Sequence, residues 1–211
     1  MSKTPAQRAR KHGERAAVAP SGRTSLPEPS KRKAQPGEGN PKLIVIAALG
    51  ATVFMFWYFH LLTLAQMTQL SNGLAMPDSM LAGFPPAYIE QLRAAMNGDA
   101  LGQLSYVHKT AGTIFALAFG LTFALVAGML LRRRAARWAG FALVAAFVVV
   151  RVGSYVAIDG ALGSQPLSAG QAVLASVLVV VGWVLFAVVL LGAAALGVLT
   201  WRARQRPPAR A

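Results

Sequence analysis

Apolar residues in this chain do not recur at a helical or a strand period; they gather into four long blocks, 43–64, 111–131, 138–158 and 172–200. Such blocks suit a membrane, since roughly 20 apolar residues rising ~1.5 Å each in a helix cross about 30 Å of hydrocarbon. The spans have to be helical, because strands satisfy their backbone in lipid only as a closed barrel. The pattern therefore predicts an all-α membrane protein, a four-transmembrane-helix bundle over residues 43–201. The last block overshoots the bilayer and has to tilt or project.

Between and around the blocks the chain is polar. Residues 1–42 are rich in Pro, Gly, Ser, Lys and Arg, a composition that cannot bury enough surface to offset its ordering entropy, and are read as a disordered basic tail. No apolar core follows the first basic residues, so a cleaved signal peptide is not expected. Residues 65–110 form one sizeable external loop. Within it FPPAYIEQLRAAMNG carries Pro86 for a first helical turn, Gly98 for the position just past the end, and Ile89, Leu92 and Met96 at spacings of three and four, which predicts a short amphipathic helix. Residues 202–211 make a second basic tail.

Charge sets the orientation. The net charge is +14, and of 21 Lys and Arg, ten precede the first span, four are Arg132, Arg133, Arg134 and Arg137, and four are Arg202, Arg204, Arg206 and Arg210. These are the segments on one side of a four-span protein, so the positive-inside rule places both termini in the cytoplasm of a bacterial inner membrane. Their partner is expected to be anionic lipid at the cytoplasmic face rather than a specific nucleic acid.

Candidate chemistry is sparse. The chain has no cysteine, which removes thiol redox chemistry, iron–sulfur ligation and covalent haem attachment. It shows no nucleophile motif, phosphate loop, metalloprotease helix or metal-ligating set. Acids, which proton-coupled transporters place within their spans, are expected to lie outside them. In the second span Gly112, Ala116, Gly120, Ala124 and Gly128 step by four, a small-residue stripe for close helix packing, within the bundle or against another subunit. Phe115, Phe119 and Phe123 step by four on a neighbouring face.

Two further features stand out. His60 and His108, near the outer ends of two spans, are candidate haem or other cofactor ligands, although ~1.5 Å per residue puts them at depths about 9 Å apart. Arg151 lies inside the third span, where a charge costs roughly 2.5–3.5 kcal/mol on insertion scales and calls for a partner or a task. Its side chain either snorkels to the headgroups or pairs with an acid. Asp159, two turns along and rotated by roughly 80°, is poorly aligned; Asp78 or Glu90, folded back from the loop, is the expected partner, with Tyr58 and Tyr155 at similar height. On that reading Arg151 locks the loop onto the bundle.

The segment Met76-Pro77-Asp78-Ser79, Gly83-Phe84, Leu101-Gly102 and Tyr106 resembles the first external loop of a loosely defined set of bacterial four-span proteins. The resemblance implies an integral membrane protein of unassigned function. The absence of catalytic groups, the stripe and the basic tail together point to a non-catalytic accessory or assembly subunit of a larger membrane complex, joined to other subunits or to itself. The alternatives are a protein binding a small ligand (haem, quinone or lipid) and a transporter.

Overall fold

The structure, a computed structural model, describes residues 40–205. Most of the expected N-terminal tail and residues 206–211 lie outside that range. Four helical stretches, Lys42–Leu70, Gly98–Leu130, Arg134–Gly163 and Ala169–Ala203, are long and apolar enough to cross a membrane, and there is no strand among the described residues. The protein is an integral membrane protein, an all-α four-span bundle. The first span packs on the second, the second on the third and the third on the fourth, which also touches the second. First and fourth meet through aromatic rings, Phe56 on Phe186 at 5.7 Å and His60 on Trp183 at 5.3 Å between centroids, rather than by close backbone approach.

The helices outrun the apolar blocks. Asn40 caps the first span by accepting from the Lys42 N–H at 3.1 Å, with Pro41 in the first turn. That span ends at Leu70, where Asn72 and Gly73 adopt positive φ (57° and 86°) and reverse the chain. A short loop helix follows at Pro86–Ala95, burying Ile89 and Leu92 completely, with Met96 just after it also buried. Gly98 does not close this helix as the sequence suggests. It opens the second span instead, because Asn97 accepts from the Ala100 N–H at 2.8 Å and caps a new helix. The loop proper is thus 71–97.

The small-residue stripe is used within the bundle. A Cβ on Gly120 would stand 2.5 Å from Cγ2 of Val148 in the third span, and one on Gly112 would meet Tyr155 and Phe59 at 3.0 and 3.2 Å. Ala116 is fully buried. Gly128 is looser, its nearest neighbour being Phe141 at 3.8 Å, and Ala124 is half-buried. Beside the stripe, Phe115, Phe119 and Phe123 join Phe147 and Phe186 in an aromatic core, with Phe119 at 4.4 Å from both Phe123 and Phe147. Thr52 and Thr122 hydrogen-bond across the first two spans at 2.8 Å, the polar contact that lipid favours between helices.

Candidate functional site

His60 and His108 both sit in π-helical turns, Trp57–Thr63 and His108–Gly112. At the end of each turn a threonine hydroxyl donates to the carbonyl five residues back, Thr63 to Tyr58 at 2.8 Å and Thr113, just past the second turn, to His108 at 2.9 Å. A π turn breaks the i→i−4 ladder and re-aims the side chains it carries. The two imidazoles therefore point into the bundle rather than to an interfacial rim.

His108, 1% exposed, is held on both sides. Nε2 lies 2.9 Å from Oδ2 of Asp78, and Nδ1 lies 2.6 Å from Oδ1 of Asp159. Asp159 also accepts from the Ser105 hydroxyl at 2.9 Å. Each nitrogen–carboxylate contact requires one proton, so the three groups share two and carry a net charge of −1, wherever the protons rest. Asp78 is fully buried, which would raise its pKa, but the charge and hydrogen bond of His108 and the charge of Arg151 outweigh burial and hold it below the usual carboxylate range.

One layer further in lies Arg151, 2% exposed. Its Nη2 donates to Nε2 of His60 at 3.2 Å. The guanidinium carbon stands 5.3 Å from the Tyr155 ring centre and 5.4 Å from that of Trp183, the cation–π contacts available to a desolvated arginine. Tyr155 in turn stacks on His108 at 5.2 Å, while the Trp183 indole N–H donates to the backbone carbonyl of Asp78 at 2.9 Å. The two histidines, Asp78, Arg151, Tyr155 and Trp183 thus form one contiguous cluster. Four of its buried polar atoms make no close, well-aligned hydrogen bond, Arg151 Nη1, His60 Nδ1, Tyr155 Oη and Asp78 Oδ1, although the Phe56 carbonyl neighbours the His60 ring and the Tyr155 hydroxyl neighbours the Arg151 guanidinium. The gap beside Arg151 and His60, bounded by Phe115, Gly182, Trp183 and Phe186, is too narrow for a water molecule.

No protein-family model matches the chain, and no curated protein or solved structure matches it either. The geometry of the cluster alone has to carry the functional argument.

Several sequence expectations change. Arg151 neither snorkels nor forms a salt bridge among the described residues; Asp78 is close to it, but Asp78's carboxylate is bonded to His108. Glu90 is on the exposed face of the loop helix and takes no part. Tyr58 is 39% exposed and stacks on Phe54, away from Arg151. The acid expected outside the spans, Asp159, lies in the third helix, and Asp78 folds into the bundle mouth. Bis-histidine haem ligation does not fit, because both nitrogens of His108 are engaged and Nε2 of His60 faces Arg151.

Two further hydrogen bonds fasten the loop to the spans, and one internal bond and a buried methionine shape it. Gly83 has φ +80°, and a Cβ there would stand 2.5 Å from the Ser176 hydroxyl of the fourth span. That close approach lets the Phe84 N–H donate to Ser176 at 2.8 Å. Arg93 donates to the Ser164 carbonyl at 2.5 Å and Tyr88 to the Ala75 carbonyl at 2.6 Å, while Met76 is fully buried. The resemblance residues Met76, Asp78 and Gly83-Phe84 are therefore the loop's anchors.

On the membrane side a shallow groove of about 310 Å³ runs between the first and fourth spans, bordered by Leu49, Val53 and Leu190 and floored by phenylalanines. Phe115 and Phe186 line both this groove and the gap beside Arg151.

Proposed function

We propose that the protein binds a small amphiphile drawn from the surrounding bilayer, in a bacterial inner membrane with both termini in the cytoplasm. The observation that carries this reading is Arg151, a buried charge in a membrane helix with no acid bonded to it among the described residues, separated by Phe115 and Phe186 from an apolar groove between the first and fourth spans. Intramembrane ionisable groups mark ligand or ion paths. An ion path is disfavoured here because the interior next to Arg151 is a plug of Phe115, Phe119 and Phe147, which leaves a transporter without a polar route. The orientation rests on the arginines at 132–137 and at the chain ends, where anionic lipid is the expected contact; reporter fusions at either terminus should read cytoplasmic.

The test is to extract the protein from its own membrane into lipid discs and quantify bound small molecules by mass spectrometry. Wild type should carry one species enriched over bulk lipid. Arg151→Gln should lose it, and Val149→Ala on the exposed face of the same helix should retain it. No enrichment in wild type would end the ligand reading.

A second reading, an accessory or assembly subunit of a larger complex, is favoured by the first span. It packs along the second span and leaves Ile46, Val53 and Leu61 at least 60% exposed, a face open to a partner helix. Native mass in mild detergent separates the two: defined protein partners support a subunit, and a lone bundle carrying a ligand supports the binder.

A further inference from the structure

We infer that the arginine-bearing end of the bundle holds one acidic phospholipid, its phosphate against Arg132 and Arg133 and one acyl chain in a cleft along the fourth span. The site deepens the expectation of anionic lipid at that face. It is separate from the amphiphile proposed at Arg151, which stands ~26 Å along the third span from its first residue, Arg134.

The turn between the second and third spans makes the polar end. The second helix stops at Leu130 and the third starts at Arg134, so Arg132 and Arg133 belong to neither. They border a cavity of about 580 Å³, walled by Met129 and Leu131 of the second span's end and by Leu199 and Thr200 of the fourth span. That volume is typical of a ligand site. Both arginines are exposed and form no salt bridge among the described residues. The four acids of those residues, Asp78, Glu90, Asp99 and Asp159, belong to the loop and the opposite ends of the spans. The third span also begins without a side-chain cap or an acid in its first turn, which adds the positive end of its dipole to the same charge. This end of the bundle therefore favours an anion.

The walls select a lipid among anions. Leu131 also lines a narrower apolar cleft of about 90 Å³, which runs on between the second, third and fourth spans past Leu196 and Gly192 to Val188. From Thr200 to Val188 the fourth span rises ~18 Å, about half the ~30 Å of hydrocarbon and so the depth of one leaflet. Arginines above an apolar cleft one leaflet deep match a phosphate carrying an acyl chain, and basic pockets between helices at this face take such headgroups. Other occupants match less well. A nucleic acid has no use for the cleft, the chain's own first 42 residues carry ten of its 21 Lys and Arg and would be repelled, and the apolar helix of a second copy brings no anion. Gly192 keeps the cleft open: a Cβ there would meet nothing within 4 Å, so a larger side chain would fill the cleft without pressing on the bundle.

The test is a titration of the full chain in mild detergent with dioleoyl phosphatidylglycerol or dioleoyl phosphatidylcholine, read by native mass spectrometry. Wild type should take up one phosphatidylglycerol in preference to phosphatidylcholine. Arg132→Gln combined with Arg133→Gln should bind it about tenfold more weakly, and Gly192→Leu should weaken it with no change of charge. Arg137→Gln combined with Arg202→Gln removes the same charge from exposed positions outside the cavity and should bind as wild type does. Glycerol phosphate at matched ionic strength should not displace the lipid, because the chain in the cleft supplies part of the affinity. Equal uptake of both lipids, equal loss in the two arginine pairs, no effect of Gly192→Leu, or displacement by glycerol phosphate overturns the site. The enrichment proposed at Arg151 is read with Arg151→Gln and this one with Arg132 and Arg133, so either can fail alone.

Discussion

His108 is the residue whose removal should cost most. His108→Leu takes away the group between two carboxylates and leaves Asp78, fully buried, without its ion-pair partner. Breaking one side of a buried pair costs ~3–5 kcal/mol, because a charge is left uncompensated. For a chain of this size that is a fall of roughly 6–20 °C in Tm. Asp159 has 19% of its side chain exposed and can turn to water, so Asp159→Asn should cost only ~1 kcal/mol. Adding Asp78→Asn to His108→Leu removes the stranded charge and should restore at least half of the loss. Thermal unfolding in detergent, together with proteolysis of loop 71–97, reads both effects. The folded-state pKa of Asp78 lies below its ordinary value of 3.8; its contribution is whole above that value and is lost as the pH falls through the lower folded one. Wild type should therefore show an acid-dependent loss below about pH 3.8 that Asp78→Asn lacks. A double variant losing the full sum, or Asp159→Asn matching His108→Leu, would refute the clamp.

Three other outcomes follow from close contacts. Gly83→Ala, strained by its positive φ and set against Ser176 at 2.5 Å, should free the loop for proteolysis while the four spans keep their helical circular dichroism. Gly120→Leu should cost the ~1–3 kcal/mol of stability typical of overpacking, read as a lower Tm, because Val148 is 2.5 Å from the new Cβ, whereas Gly128→Ala, with 3.8 Å to Phe141, should be silent. Replacing the Arg151–His60 pair by Met and Leu should leave Tm unchanged or higher, since apolar groups of similar volume often match a buried polar pair, while abolishing Arg151-dependent ligand enrichment.

The bundle was legible because ~20-residue apolar blocks have one common use, and the loop helix because Ile89, Leu92 and Met96 keep helical spacing. Arg151 could be singled out from its depth alone. The partnership around His108 could not, since Asp78 is 30 residues before it and Asp159 is 51 after, and the turn at Gly83 sets where Asp78 arrives. Looking for an acid to match Arg151 pointed at Asp78 or Glu90, but the Asp78 carboxylate is bonded to His108 and Glu90 lies on the exposed face of the loop helix. Counting helical turns also misled, because the π turns at His60 and His108 shift facing in a way that a 3.6-residue period does not register.

The cluster divides into two parts of opposite character. The Asp78–His108–Asp159 clamp has both imidazole nitrogens bonded and ties the loop to the second and third spans, which is what a structural ion network needs in order to be worth its desolvation. The Arg151–His60 pair is made of one long hydrogen bond and two ring contacts, with no carboxylate bonded to either residue among the described residues. If Arg151 served to fasten the loop, its charge would face an acid directly, yet every loop fastening runs through His108, Trp183, Ser176 or Ser164. An incompletely bonded arginine costs stability that an apolar residue would not. His108 is thus the architectural half of the cluster, and Arg151 the half on which the proposed binding role rests.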